Sequence, residues 1–228
     1  MNEIAEGFKT AIELIVTLDP EVIEISIRSI IISLSATLFA SLIAIPIGSV
    51  ITFNEFPGKK ALVNLIQTLY ALPTVLVGLF VFLLISRAGP FGFLRLLFTP
   101  EGMVIAQTIL ILPIMVGLTI SALKGVDITI LDTLRSLGAS QYQFIAGVVR
   151  EARYAIMAAV VLGFGRAISE VGAAIMIGGN IRGHTRVLTT AISLETSMGN
   201  LAMSIALGII LLGIALVINL MLAYVQNR

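Results

Sequence analysis

Two charged side chains stand inside an otherwise apolar run. Arg166 and Glu170 are four residues apart, and so share one face of any helix that carries them. An isolated charge at mid-bilayer costs about 2.5–3.5 kcal/mol on insertion scales, so such a pair either neutralises itself or marks a pathway. Both readings stay open: a structural ion pair, or a pathway or gate element. Arg precedes Glu, the weaker i,i+4 orientation, which leaves room for a partner on another helix or subunit. A second group follows: Asn180, Arg182, His184, Thr185 and Arg186, then Thr189 and Thr190. Its cationic and hydroxyl donors would suit a tetrahedral oxyanion. A plain solvated loop is the simpler reading, and contact with an extracytoplasmic protein is a third. His184 has no His, Cys or carboxylate close by in sequence, so metal ligation is not expected.

The third group lies in residues 124–153, where Asp127 is placed to cap a short helix ending near Gly138, a natural left-handed terminator. Ser140 and Gln143 form a capping-box pattern that opens a second short helix. The expectation is a helix, a glycine turn and a helix at the membrane surface, presenting Tyr142 and Phe144. Such a rigid element suits docking to another protein. The chain has no Gly-x-x-x-x-Gly-Lys-Ser/Thr phosphate loop; Gly58-Lys59-Lys60 lacks the first glycine and the hydroxyl residue. It also has no nucleophile elbow, two-His helix motif or paired catalytic carboxylates. Catalysis, ATP hydrolysis included, is not expected on this chain.

The elements that must hold these groups are apolar. Of 228 residues, 58% are hydrophobic and 12% charged, about half the charge of a soluble domain; mean hydropathy is +1.08. A bilayer core of about 30 Å needs about 20 apolar helical residues. Five stretches meet that length: 29–53, 61–86, 102–123, 154–181 (with Arg166 and Glu170) and 196–227, the last with its apolar core at 201–225. Ahead of them, residues 1–18 place Ile4, Phe8, Ile12, Ile15 and Leu18 near helical spacing between charged residues. That pattern predicts an amphipathic interfacial helix, and Asp19-Pro20 reads as the cap and first turn of the next one. Pro46, Pro73 and Pro113 each remove a helical hydrogen bond inside an apolar run and can kink it. Small residues at 163–165, 172–174 and 178–179 would allow close helix approach. No internal repeat appears, so residues 1–228 read as one domain: an all-α, polytopic transmembrane bundle of about five spans.

The absence of Cys excludes disulfides and cysteine metal sites. A net charge of +1 argues against a nucleic-acid partner. Glu3 and Glu6 replace a basic leader, so a cleaved signal peptide is not expected. Orientation rests on basic residues. With the N-terminus outside, the inner segments carry Lys59, Lys60, Lys124, Arg135, Arg150, Arg153 and Arg228. The outer ones carry Lys9, Arg28, Arg87, Arg95, Arg182 and Arg186. The balance is narrow, and the Lys59–Lys60 pair with the basic 124–153 loop favours N-out, C-in.

Within that loop, Asp132-Thr-Leu-Arg-Ser-Leu-Gly138 followed by Ala139-Ser140 resembles the cytoplasmic loop of ABC importer permeases: an acidic residue, two small residues, three of any kind, then Gly. Thr133 and Leu134 depart from the small pair, and Arg150-Glu151 stands where the family usually has Leu-Pro. The stretch 163–192 resembles the oxyanion importers of the molybdate, tungstate and sulfate group. It carries Arg166-Ala-x-x-Glu170-x-Gly172-Ala, then Gly179-Asn180 and a Thr-rich segment, and its wording at 179–190 is most similar to the tungstate permeases. The resemblance implies a permease subunit in the cytoplasmic (inner) membrane, surrounded by lipid and lining the pathway with a second copy of itself. It implies two ATP-binding subunits at the coupling loop through Asp132, Arg135, Gly138, Ala139, Ser140 and Tyr142. An extracytoplasmic oxyanion-binding protein would deliver substrate, with ATP on the partner and no cofactor on this chain. Molybdate and sulfate are the alternative cargoes. A gradient-driven carrier or channel is the alternative class; it would call for more intramembrane carboxylates than Glu170 and has no use for the Gly138 loop.

Overall fold

The computed structural model describes residues 2–226, with side chains from 5 to 224. Met1, Asn227, Arg228 and the side chains of Asn2, Glu3, Ile4, Val225 and Gln226 lie outside the described residues. Among those described, all regular structure is helical. Three helices are long and apolar enough to cross a bilayer alone, and two bent pairs bring the number to five if each pair is one span.

Helix α1 (Asn2–Val16) lays a small face on the last helix: Gly7 and Ala11 are buried, and a Cβ on Gly7 would lie 3.5 Å from Ile205. Phe8 and Ile12 of the expected apolar stripe are exposed. Helix α2 (Pro20–Phe53) begins where expected, the Asp19 carboxylate accepting from the N–H groups of Glu21 and Val22. Its 34 residues span about 51 Å, well beyond a hydrocarbon core, so its first turns project past it. The buried face of α2 carries Ser29, Ser33, Ala36, Thr37, Ala40, Ser41 and Ala44. Hydroxyls of Ser29, Thr37 and Ser41 donate to their own helix four residues back. Small, internally satisfied side chains let α2 lie close against α5 (Pro100–Lys124), the most buried of the three long helices. Both helices run through their prolines, Pro46 and Pro113, without ending.

Pro73 acts differently. The expected span 61–86 is two helices, α3 (Lys59–Thr68) and α4 (Thr74–Ile85), bent by 100°. Leu72, before proline, takes an extended ψ of 128°, as steric contact with the proline ring requires. The span 154–181 is also divided, into α8 (Arg153–Ile168) and α9 (Gly172–Gly178), bent by 60°. The two half-helices that follow the breaks meet each other. A Cβ on Gly78 of α4 would come within 2.9 Å of Ala173 Cα, and one on Gly172 within 2.9 Å of Val75. Val77, Val81, Ala173 and Ile177 close that contact against Met103 and Leu110 of α5.

Two short helices, α6 (Ile128–Ser136) and α7 (Gln141–Glu151), fill the 124–153 loop. At the opposite end α10 (Leu188–Ser197) precedes α11 (Leu201–Gln226). The last expected span is therefore interrupted at 198–200, and only α11 is long enough to cross.

Candidate functional site

The α6–α7 hairpin has the local form its sequence predicts. The Asp127 carboxylate accepts from Thr129 N–H at 2.7 Å. That bond, with the Thr129 side chain, holds the Asp127 carboxyl below the usual carboxylate range. Gly138 sits at φ 72° with open space around it, and Ala139 N–H reaches back to the Leu134 carbonyl at 3.2 Å, a Schellman-type ending. Ser140 and Gln143 make the capping box in both directions. Tyr142 is 83% exposed and Leu137 78%. Asp132, Arg135, Gly138 and Ser140 share that exposed tip, with Ala139 half-buried.

The underside of the hairpin is anchored. Val148 is fully buried with Leu123, Ala152 and Ile156, and Leu131, Leu134 and Phe53 pack around them. Phe144 is part of this base and is not presented with Tyr142. Its ring meets Phe53 edge-on at 5.3 Å, and the Arg135 guanidinium lies 5.2 Å over it. Residues two apart on a helix face nearly opposite ways, a signal already present in the spacing of 142 and 144. Arg135 also pairs with Asp132 at 3.5 Å, so part of its charge is held within the hairpin. Leu137, exposed at the same tip, was not singled out in the sequence; its apolar side chain beside the turn glycine is the only mark it leaves there.

Arg166 and Glu170 meet, Nη1 to Oε2, at 3.0 Å. They do so across the break between α8 and α9, not along one helix. Glu170 is 2% exposed, its Oε1 accepts from Ala173 N–H at 3.1 Å, and its carbonyl accepts from Thr189 Oγ1 at 2.6 Å. The carboxylate thus sits at the N-terminus of α9 and the guanidinium at the C-terminus of α8. Each charge matches the helix end it faces, so the Arg-before-Glu order that is poorer in a continuous helix is favourable at a break.

Residues 178–195 form an intramolecular clamp. Asn180 donates to the Thr190 carbonyl at 3.1 Å and accepts from Thr190 Oγ1 at 3.0 Å. Thr185 is buried, accepting from Ile181 N–H and donating to the Gly178 carbonyl. Arg186 pairs with Glu21 at 3.3 Å and Glu195 at 3.4 Å and is largely enclosed, while Arg182 pairs with Glu21 from an exposed position. His184 lies on the surface. Most of the donors that suited an oxyanion therefore already have acceptors on this chain. Two further cations of this end are Arg87 and Arg95. Neither has an ion-pair partner among the described residues, and both line a cavity of about 990 Å³ with Phe82, Phe93 and Phe98. Sequence reading counted them for topology only. Among the described residues no group of three His, Asp or Glu side chains converges as a metal holder.

A family model described as "Binding-protein-dependent transport system inner membrane component" matches residues 26–228. The tungstate uptake system permease protein TupB of Peptoclostridium acidaminophilum is 43% identical over 228 residues, covering all of both chains. The tungstate uptake system permease protein TupB of Campylobacter jejuni is 36% identical, over 96% of this chain and 92% of that one. The molybdenum transport system permease protein ModB of Escherichia coli K12 is 29% identical, over 72% of this chain and 77% of that one.

Proposed function

The chain belongs to the family of inner membrane components of binding-protein-dependent transport systems, and from that premise we propose that it is the permease of an ATP-driven importer whose cargo is tungstate. The observation that carries the cargo is similarity along the whole chain to a tungstate uptake permease, at 43% identity. Relatives named for molybdenum and sulfate cover less of the chain at lower identity, which keeps those oxyanions as the second reading.

In this reading ATP is hydrolysed on two partner subunits that dock on Leu137, Gly138, Ser140 and Tyr142. Two copies of the chain enclose the pathway. The hairpin end is cytoplasmic, so the N-terminus lies outside and the C-terminus inside. An extracytoplasmic binding protein delivers the oxyanion at the end that exposes Arg87, Arg95, Arg182 and His184. The buried base supports a mechanical role for the hairpin. Helix α7 runs into α8 with only Ala152 between them, and α8 leads through the Arg166–Glu170 break to α9 and α4. A hairpin pushed by a closing ATPase would move α8 as a lever, and packed half-helices shift between discrete arrangements.

The test is a tagged purification from native membranes in mild detergent, repeated with residues 132–142 scrambled. The native chain should bring down an ATP-binding subunit and the scrambled chain should not. An intact native chain with no ATPase would overturn the importer reading and turn attention to a gradient-driven carrier. Uptake of labelled tungstate, competed by molybdate and by sulfate, then ranks the cargoes.

A further inference from the structure

At the hairpin end, where α2 gives way to α3, a cavity of about 780 Å³ opens between Thr52, Glu55, Phe56, Lys59, Lys60 and Lys124. The side chain of Lys59 is 14% exposed and committed, its Nζ donating to the Thr52 carbonyl at 3.0 Å and to Glu55 at 2.8 Å. Lys60 and Lys124 are exposed, and neither lies within ion-pair distance of a carboxylate among the described residues. Three ammonium groups face one carboxylate, a local net charge of +2. The Glu55 carboxyl is held below its usual range by Lys59 first, through hydrogen bond and charge, and also by Lys124 and Lys60. These groups therefore act on one small volume, and Glu55 stays ionised beside Lys59. Gly58, at φ 87°, leaves the start of α3 without a side-chain cap and lines the same cavity. The exposed Phe56 supplies an apolar rim.

We propose that this cavity binds a tetrahedral oxyanion group, held by the ammonium groups of Lys60 and Lys124. A basic recess between helices at a cytoplasmic membrane edge suits a phosphate headgroup, and Phe56 would face the start of its acyl chains. A free oxyanion leaving the pathway carries the same chemistry. The choice between these sources rests on the importer reading, which makes this end cytoplasmic; the binding of the group does not. The site also touches coupling. Asn54, two residues from Thr52, accepts from the Gln141 amide of the hairpin at 3.5 Å, so an occupant would sit beside the ATPase dock.

The experiment uses the full chain, alone and with whatever ATPase co-purifies, as wild type and as Lys60→Gln/Lys124→Gln. In one arm, nanodiscs of phosphatidylcholine with and without phosphatidylglycerol are compared, and bound phosphatidylglycerol is measured by native mass spectrometry. In the other, sodium tungstate binding is measured by equilibrium dialysis with elemental analysis. One arm should show a salt-sensitive loss of roughly thirtyfold in the double variant, at about fivefold per surface lysine; that arm identifies the source. Thermal unfolding should match the wild type, since both side chains are exposed. Equal binding of both probes by variant and wild type would overturn the site, as would no binding of either by the wild type. Loss of the ATPase with probe binding unchanged would assign the lysines to the protein interface and also overturn it. Failure of the importer reading is seen separately, as a wild type with no ATPase.

Discussion

At the scale of single residues, the two charged groups that stand out in the sequence both hold ion pairs within the chain. Glu170 closes a helix break. Its carboxylate faces the Arg166 guanidinium and an α9 N–H at once. Glu170→Gln keeps an oxygen for Ala173 N–H but leaves Arg166 uncompensated. Thermal unfolding in detergent should show a loss of about 1–3 kcal/mol, accompanied by reduced uptake. A variant with unchanged melting and uptake would make the pair incidental. The two arginines of the clamp divide by burial. The Arg182 side chain is 73% exposed and the Arg186 side chain 11%. Arg182→Ala should cost under about 1 kcal/mol, because an exposed pair is screened by water and salt. Arg186→Ala leaves the 6%-exposed Glu195 without its cation, while Glu21 keeps Arg182, and should cost about 2 kcal/mol or more. Similar losses from both variants would show that the clamp does not depend on burial.

At the scale of elements, the hairpin joins an exposed tip to a buried base. Gly138 has the φ that L side chains avoid, yet nothing lies within 4 Å of where its Cβ would be. Gly138→Val therefore acts through backbone strain alone, about 1–2 kcal/mol concentrated in one turn. The chain should still assemble and keep its ATPase, while uptake per ATP hydrolysed falls several-fold in proteoliposomes. An unchanged ratio would remove the turn from coupling. The two broken helices follow the same logic of local cause and tertiary use. Leu72-Pro73 marks a place where a helix must stop. The direction taken next is set by Gly78 and Gly172, which let α4 and α9 approach more closely than any larger side chain would allow.

At the scale of the whole molecule, the 54–60 corner and the 124–153 hairpin share one end, and the clamp and the 86–99 turn share the other. Because the chain has no cysteine, its topology can be read with single introduced thiols. Ser140→Cys should react with an impermeant maleimide only from the cytoplasmic side, and His184→Cys only from outside. The reverse pattern would invert the N-out assignment. At the clamp end, α2, α10 and α11 are held by charged and hydroxyl side chains as well as by apolar packing around Leu188 and Leu207. In the middle of the bundle the small Ala40 and Ala44 of α2 pack with the larger Ile111 and Met115 of α5. Large side chains such as Leu38, Leu42, Leu212 and Leu216 stay exposed on α2 and α11, faces suited to lipid or to a second copy.

The sequence by itself determined what depends on near neighbours and on solvent. Long apolar runs without charge require helices in a bilayer, because backbone groups there must bond within their own segment. Asp127, Gly138, Ser140 and Gln143 act over two to five residues, so the hairpin and its caps were legible, as was Asp19 at the start of α2. Only the tertiary structure decided which residues were already engaged. Arg186 finds Glu21 from 165 positions away, and no spacing rule reports that. Glu170 becomes a cap rather than a mid-helix charge because Gly172 and Ala173 pack on α4 and hold the bend. Lys60 and Lys124 share one cavity because α3 folds back on α5. Periodicity describes one helix at a time, whereas burial and pairing are set by which helices touch, and in this bundle that choice rests on small residues whose only trace in sequence is their size.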